Sequence, residues 1–161
     1  AARAAYAHGR ALQRAQGSAV WPEFPDAAIL AEIADGRLLR VRDGDATAGV
    51  FSVAWEDPAI WGELERGAHV YLHRIARAPT WGGRGLIAGV LAWADTACRA
   101  RGREGLRMDT WASNDALVAY YRGLGFGLVG RRRRAADPRL AVHYHGTELA
   151  LLERPTARAG S

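Results

Sequence analysis

The fold is decided by the stretch His69–Ala94, which reads HVYLHRIARAPTWGGRGLIAGVLAWA. Its beginning, His69–Arg77, alternates well enough for a central β-strand. Glycines follow at positions 82, 83 and 85. From Gly85 to Arg101 the apolar side chains recur with helical spacing, at positions 87, 90, 91, 94 and 98. The stretch therefore predicts a strand, a glycine loop and a helix in succession.

The glycine loop has the features of a phosphate-binding turn. Gly82, Gly83 and Gly85 let the backbone approach a ligand closely and permit positive φ angles. The loop runs into a helix N-terminus, where free N–H groups and the helix dipole favour an anion. Arg84 adds a permanent positive charge. The loop is neither a Walker loop nor a dinucleotide fingerprint. A flexible turn without a ligand is the alternative interpretation.

The rest of the chain predicts further helices and strands around this centre. Residues 1–16 form a predicted helix, and Asp26 is the predicted N-cap of a short helix that ends at Ala34. Asp43-Gly44-Asp45 predicts a hairpin, and residues 57–67 predict a loop or a short helical piece. Asn114 or Ser113 is the predicted cap of a helix that ends near Gly123. Besides residues 69–77, the predicted strands cover residues 37–42, 46–55, 105–111, 126–133 and 142–152.

This order of elements predicts a mixed α/β (α+β) fold, with helices flanking a mixed central sheet. The length of 161 residues, with 49% apolar and 24% charged residues, predicts a single domain. Residues 155–161 are expected to form a polar tail. Because Met108 is the only methionine, we expect the translated start, and with it an N-terminal strand, to precede Ala1.

Composition also bounds the location and the partners. No apolar run approaches the ~20 residues of a membrane helix, so no membrane association is predicted. The single cysteine, Cys98, is predicted to be a buried core residue, and the lack of a disulfide framework predicts a cytoplasmic protein. All 22 basic residues are arginine, which is typical of GC-rich coding bias. The net charge of +5 permits an acidic ligand without requiring nucleic acid.

A second motif combines Asn114, Tyr121 seven residues later, and the pair Gly125-Phe126. Together with the segment His69–Ala94, it resembles the signatures of the GCN5-related N-acetyltransferase (GNAT) family. The first family signature reads Gln/Arg-x-x-Gly-x-Gly/Ala and falls on residues 82–87. Gly85 matches it, whereas Gly82 and Ile87 depart from it. The second signature matches at all four positions.

The resemblance implies transfer of an acetyl group from acetyl-CoA, the co-substrate, to a primary amine. It also implies two central strands that splay apart around the pantetheine arm. Backbone N–H groups of Ile75, Ala76 and Arg77 are expected to bind the cofactor and stabilise the tetrahedral oxyanion. Asn114 is expected to cap its helix, either alone or while also binding the cofactor. The loop residues expected to bind the pyrophosphate are Gly82, Gly83, Arg84, Gly85, Leu86 and Ile87.

Tyr121 is the predicted general acid and a cofactor contact. A phenol with a pKa of ~10 can donate a proton to a departing thiolate, whose acid has a pKa of ~8.5. A core aromatic residue beside Tyr120 is the alternative. The general base stays open among His73, Asp109, Glu56, Glu63 and a chain of waters. His73 has a suitable near-neutral pKa, or is a structural histidine. Asp109 serves as base or positions the substrate ammonium.

His69, Tyr71, His73 and Ile75 share one face of the central strand if that strand is regular. Trp55, Trp61, Trp81 and Trp111 lie near predicted loops and strand ends and are candidates for the acceptor pocket. Core packing is predicted for at least two of these four tryptophans.

Two further groups of residues are candidates for binding roles. His143 and His145 are placed near the pocket mouth, and no metal site is predicted. The run Arg131–Arg134 is interpreted as a charged edge strand; binding of the adenosine 3′-phosphate or of an acidic partner is the alternative.

The acceptor is expected to be a small-molecule or peptide amine, and a homodimer is expected because dimers are frequent among such proteins. A non-catalytic acyl-CoA sensor on the same fold is the second hypothesis. Nucleic-acid binding is not predicted, because no aromatic-basic interleaving accompanies the arginine run.

Overall fold

The computed structural model describes residues 1–133 and 146–156. The strands follow the order β1-β2-β3-β4-β6-β5 in the sheet, which confirms the predicted mixed α/β fold. The helices are α1 (Ala2–Ala15), α2 (Asp26–Ala34), α3 (Pro58–Trp61), a 3-10 helix (Gly62–Leu64), α4 (Leu86–Ala100) and α5 (Asp115–Gly123). The strands are β1 (Leu38–Asp43), β2 (Ala46–Ala54), β3 (His69–Arg77), β4 (Gly105–Trp111), β5 (Gly127–Arg133) and β6 (Glu148–Pro155).

The chain forms two compact units, and it passes from one to the other after β2, within β3 and within α4. The first unit contains residues 1–54 and 72–93. The second contains residues 55–71 and the chain from residue 94 onward. Each unit has its own buried side chains.

The first unit is built on the hairpin of β1 and β2. The strands pair antiparallel from Leu38↔Ser52 to Asp43↔Ala46, with one register shift between Val41 and Arg42. Gly44 has a φ of 57° in the turn, a conformation that glycine adopts without steric cost. The predicted hairpin is therefore confirmed.

Aromatic side chains close the core of the first unit. Tyr6 of α1 is buried and packs edge-on against Trp21 and Phe24, with ring centroids 6.1 and 5.0 Å away. Ile29 of α2 and Val50 of β2 belong to the same cluster. The predicted N-terminal helix is thus anchored to the sheet through one face.

The predicted cap of α2 is wrong. Pro25 takes the N-cap position with extended backbone angles, and Asp26 is the first helical residue without a capping hydrogen bond. Asp26 instead pairs with Arg3 at 2.5 Å. An acidic side chain in the first turn still interacts favourably with the helix dipole. Proline at position 25 displaces the cap because its fixed φ suits the residue before the helix.

The second unit is built on antiparallel pairs of β6 with β4 and with β5. The side chains of Leu149, Leu151 and Leu152 are fully buried. Within the described residues, the predicted last strand is wrong at Gly146 and Thr147, which precede the observed strand, and at its C-terminal end. The observed strand begins at Glu148 and includes Pro155, which pairs with Gly105 and had been assigned to the tail. A proline at a strand end removes no central hydrogen bond. The predicted strand residues 142–145 lie outside the described part of the chain.

The caps of α5 and the environment of Cys98 agree with the sequence. The Asn114 side chain accepts a hydrogen bond from the Leu117 N–H at 3.1 Å, so Asn114, not Ser113, is the cap. Gly123 is the last helical residue, and Gly125 takes the left-handed position with a φ of 92°. Cys98 is fully buried, and its thiol donates to the Arg103 carbonyl at 3.3 Å.

Candidate functional site

The glycine loop of the first unit joins β3 to α4 and is exposed. The Ala78 N–H donates to the Ala48 carbonyl at 2.9 Å, which fixes the chain as it leaves β3. Gly85 has a φ of 92° and its carbonyl accepts from the Gly89 N–H at 2.9 Å. Residues 86–88 therefore precede the first intrahelical N–H bond of α4. The predicted helix N-terminus directly after the glycine loop is present.

An indole packs on the loop from one side. A Cβ atom on Gly83 would lie 2.4 Å from the Trp81 ring, so this position has no room for a side chain unless Trp81 moves. The Trp81 Nε1–H donates to Asp43 Oδ2 at 3.0 Å, at the end of β1. The conformation of the loop is thus tied to the β1–β2 hairpin. Sequence reasoning missed this contact because it joins residues far apart in the chain.

The end of β3 carries Ile75, Ala76 and Arg77, the residues predicted to offer backbone donors. Immediately before them, Arg74 has a φ of 48°, so β3 is not a regular strand. The prediction that Ile75 shares a face with His69, Tyr71 and His73 required a regular strand, and β3 does not meet that requirement. The Arg77 guanidinium is exposed and lies 3.4 Å from His8 Nε2 of α1.

In the second unit, α5 presents the predicted phenol. Tyr121 is buried and packs against Tyr120 and Phe126, with ring centroids 5.4 and 6.0 Å away. Burial, and then the neighbouring Tyr120, raise the pKa of Tyr121 well above its ordinary value of 10.0. The phenol therefore stays protonated at neutral pH but is a weaker proton donor than a free phenol. Tyr120 is half exposed.

The candidate bases fall into two groups by burial. His73 is half-buried on β3, and Asp109 is half-buried on β4. Glu56 and Glu63 are exposed. Packing restricts the positions of half-buried side chains more than those of exposed ones, which favours His73 and Asp109 over Glu56 and Glu63.

The four tryptophans have different environments. Trp61 is fully buried. Trp55 lies under the Arg101 guanidinium, 3.7 Å from its ring centroid, a cation–π contact. Trp81 packs on the loop, and Trp111 is half-buried at the end of β4. Trp61 therefore belongs to the buried core, whereas Trp55, Trp81 and Trp111 are half-buried.

The arginine run lies on β5, at the edge of the sheet, as predicted. Arg131 and Arg133 are exposed and Arg132 is half-buried, which is the expected alternation. The Arg131 guanidinium donates to the Ala112 carbonyl at 3.2 Å. The Arg132 guanidinium donates to the Trp61 carbonyl at 2.6 Å, and that of Arg133 donates to the Gly146 carbonyl at 3.3 Å. These arginines therefore form hydrogen bonds with neighbouring segments of the chain, and they also place positive charge along the edge strand. Arg134, His143 and His145 lie outside the described residues.

A buried charged cluster in the second unit escaped the sequence analysis. Arg107 of β4 is 3% exposed and donates to Glu153 at 2.7 Å and to the Leu64 carbonyl at 2.7 Å. It also donates to the Tyr71 hydroxyl at 3.2 Å and lies 4.2 Å from the Trp61 ring centroid. A charge between Leu106 and Met108, inside an apolar strand, was the available signal.

His69 borders this cluster. Its Nε2 lies 3.4 Å from Glu153 Oε2, and its side chain is buried. Burial, and then the nearby Arg107 charge, lower the pKa of His69 below its ordinary value of 6.5, although Glu153 opposes the shift. His69 is therefore neutral in the folded protein at neutral pH. In the described part of the chain, no helix is both long and apolar enough to cross a membrane.

Comparison with known proteins adds a family to this geometry. A sequence model of the acetyltransferase (GNAT) family matches residues 8–126. The chain is 36% identical over 74 residues to a Bacillus subtilis (strain 168) protein called "Uncharacterized N-acetyltransferase YesJ". That alignment covers 46% of this chain and 41% of the relative. The chain thus spans only about two fifths of the length of this curated relative.

Solved structures are similar in fold at lower identity. An acetyltransferase of the GNAT family from Listeria monocytogenes 4b F2365 has a TM-score of 0.69 at 19% identity, over 93% of this chain and 84% of that chain. The ribosomal-protein-S18-alanine N-acetyltransferase from Escherichia coli has a TM-score of 0.55 at 20% identity, over 89% and 82%. At these identities the likeness is one of fold.

Proposed function

The chain belongs to the acetyltransferase (GNAT) family, and from this membership we propose that it moves an acetyl group from acetyl-CoA to a primary amine. The family is one of acyltransferases. One observation supports the proposed position of the cofactor, at the start of α4. Gly85 lies in the left-handed region at the exposed start of α4, directly after the loop. Backbone N–H groups at such a helix start favour a pyrophosphate.

The proposed reaction is a direct attack. The amine nitrogen attacks the thioester carbonyl, a tetrahedral oxyanion forms, and the carbon–sulfur bond then breaks. The amine loses a proton to a base, and the departing thiolate receives one. Backbone N–H groups of Ile75, Ala76 and Arg77 bind the cofactor arm and the oxyanion in this proposal. It treats residues 1–161 as one acetyltransferase domain, which the family match over residues 8–126 supports.

Tyr121 is the proposed general acid. The raised pKa supports a phenol that is protonated at every physiological pH, so the donor is always in its acidic form. The same shift makes complete proton transfer to a thiolate less favourable. A hydrogen bond that strengthens as negative charge develops on sulfur fits this phenol better than early transfer.

The base and the acceptor are proposed more coarsely. His73 and Asp109 are the favoured candidates for the base, since both are half-buried. The name of the Escherichia coli neighbour refers to a ribosomal-protein alanine, which supports a peptide amine as one class of acceptor. A small-molecule amine is the other class. Cys98, the single cysteine, supports a cytoplasmic location. Homodimerisation stays a prediction.

Two observations favour a second function, a non-catalytic acyl-CoA sensor. The raised pKa of Tyr121 weakens the proposed acid, and Gly82 and Ile87 depart from the family signature. A Tyr121→Phe variant separates the two functions. For an enzyme, isothermal titration should give an unchanged affinity for acetyl-CoA, while thiol release in an amine screen falls about a hundredfold. Tyr120→Phe, which removes the neighbouring exposed hydroxyl, is the matched control.

Two results would contradict the enzymatic proposal. Absence of acetyl-CoA binding by the wild-type protein at millimolar ligand would remove the cofactor. Binding of acetyl-CoA without thiol release in any amine screen, and without a response to Tyr121→Phe, would instead support the sensor.

A further inference from the structure

Arg74 has a backbone conformation that its residue type disfavours. Among the described residues it is the only one other than glycine with a positive φ, which is 48°. A side chain with a Cβ atom clashes with the backbone in this region, and arginine is not among the residues that tolerate it. Such a residue persists inside a strand when its surroundings hold it in place.

The Arg74 side chain has three kinds of partner in the first unit. Its Nη2 donates to Glu32 Oε1 of α2 and to Ser52 Oγ of β2, the latter at 3.1 Å. The Ser52 hydroxyl donates to Glu32 Oε2 at 2.9 Å, which closes a ring of three groups. The guanidinium carbon lies 4.9 Å from the Phe24 ring centroid.

Burial makes this ring of groups strong. The side chains of Arg74 and Glu32 are 17% and 14% exposed, and Ser52 is buried. Hydrogen bonds between ionised groups are stronger than neutral ones, and low solvent exposure strengthens them further. The ring therefore supplies the interaction that keeps residue 74 left-handed within β3.

The backbone beyond Arg74 depends on this conformation. Rotation of φ at residue 74 to an extended value would turn the peptide planes of Ile75, Ala76 and Arg77. We propose that Arg74 is a positioning residue, held by Glu32 and Ser52, that aims the N–H groups of residues 75–77 at the pantetheine arm and the acyl oxygen of acetyl-CoA. This inference rests on the proposed function.

Two substitutions at position 74 separate backbone geometry from side-chain contact. Arg74→Gly removes the side chain but adopts a positive φ without strain. Arg74→Ala removes the same contacts and keeps the steric penalty, so the backbone should relax toward an extended strand. If Arg74 acts through the backbone, the alanine variant is impaired and the glycine variant largely is not. If Arg74 contacted the acceptor or only stabilised the fold, the two variants would behave alike.

Measuring the affinity for two ligands shows which part of the cofactor depends on Arg74 for its binding. Isothermal titration would use acetyl-CoA and 3′-phospho-ADP, the nucleotide part of coenzyme A without the pantetheine arm. In Arg74→Ala the Kd for acetyl-CoA should rise about tenfold, the equivalent of one lost hydrogen bond. The Kd for 3′-phospho-ADP, which needs only the glycine loop, should not change. In Arg74→Gly both values should stay close to those of the wild type.

Hydrogen exchange in the ligand-free protein gives a readout that does not depend on the cofactor. Protection of the Ala78 amide, which follows residues 75–77 and donates to the Ala48 carbonyl at 2.9 Å, should fall in Arg74→Ala and be largely retained in Arg74→Gly. Glu32→Gln, which keeps the shape of the ring but removes its negative charge, should shift both readouts in the same direction. It serves in place of the alanine variant if that variant does not fold.

The outcomes distinguish this inference from the proposed function. Equal loss of acetyl-CoA affinity in the alanine and glycine variants would overturn the positioning role. Unchanged affinity and protection in Arg74→Ala would overturn it too. Failure of the wild-type protein to bind either ligand would instead reject the proposed function, while the exchange data would still show whether Arg74 sets the backbone of β3.

Discussion

His69 is an imidazole in a position where burial and the Arg107 charge both oppose its protonation. The unfolded chain takes up a proton at about pH 6.5, the ordinary value, whereas the folded chain takes it up only at lower pH. Between these two values the unfolded state binds more protons. Stability is therefore complete above the ordinary pKa and decreases as the pH falls toward the folded-state pKa.

This linkage predicts the behaviour of a His69→Gln variant. The free energy of unfolding of the wild type, measured by urea titration, should fall as the pH is lowered from 7 to 5, and the slope should be smaller in the variant. Ser113→Ala, which changes an exposed side chain without an ionisable group, is the control and should keep the wild-type slope. Parallel pH profiles for wild type and His69→Gln would refute the assigned pKa direction.

At the scale of elements, α5 depends on a local cap that the sequence identified. Asn114→Ala removes the acceptor of the Leu117 N–H and should lower the free energy of unfolding by about 1 kcal/mol. Ser113→Ala, one residue earlier and exposed, should leave it unchanged. Asn114→Asp keeps an acceptor oxygen and should retain stability.

The same variants decide whether Asn114 also binds the cofactor. If it only caps α5, Asn114→Asp keeps the wild-type affinity for acetyl-CoA in a calorimetric titration. A loss of affinity with retained stability would assign the amide nitrogen a contact with the ligand. Equal stability of Asn114→Ala and Ser113→Ala would contradict the cap itself.

Which elements were predictable depends on the range of the interactions that define them. β3 and β4 have the predicted bounds, because runs of strand-forming residues bounded by turn signals are local in the sequence. The Asp26 cap failed because Pro25 competes for the same position. The Trp81–Asp43 bond and the ring of Arg74, Glu32 and Ser52 join distant residues, and no local pattern encodes them.

The predicted site shows the same division. Motif spacing identified Gly85, Asn114 and Tyr121 as candidates. Gly85 directly precedes α4, Asn114 directly precedes α5, and Tyr121 lies within α5, so each position depends on a single helix. The environment of Tyr121, which sets its pKa, was not identifiable from spacing. Burial is a property of packing between elements, and it changed the expected acid from an ordinary phenol into a weaker one.

Across the molecule, each unit contains an ion pair of an arginine with a glutamate in which both side chains are largely shielded from solvent. In the first unit the pair is Arg74 with Glu32, and in the second it is Arg107 with Glu153. A buried ion pair adds little stability compared with a well-packed apolar pair, but loss of one partner leaves an uncompensated charge. Each arginine therefore restricts the side-chain packing around it more than it contributes to the free energy of unfolding.

This asymmetry gives a global prediction for the second unit. Glu153→Leu leaves the Arg107 guanidinium without its carboxylate and should lower the free energy of unfolding by about 3–5 kcal/mol. Arg107→Leu should cost a similar amount, because Glu153 and the Leu64 carbonyl both lose a donor. The double variant should be less destabilised than the sum of the two, since neither charge is left unpaired.

An exposed pair supplies the control for this cycle. Arg66 and Glu104 lie 4.0 Å apart with side chains 66% and 67% exposed, so Arg66→Leu should change the free energy of unfolding by less than about 1 kcal/mol. Urea titration of all variants at pH 7.5 keeps His69 neutral and removes its linkage from the comparison. Additive effects of Glu153→Leu and Arg107→Leu would show that the two side chains stabilise the unit through separate contacts. A cost as small as that of Arg66→Leu would show that solvent reaches the pair, in which case Arg107 would not constrain the packing of β4.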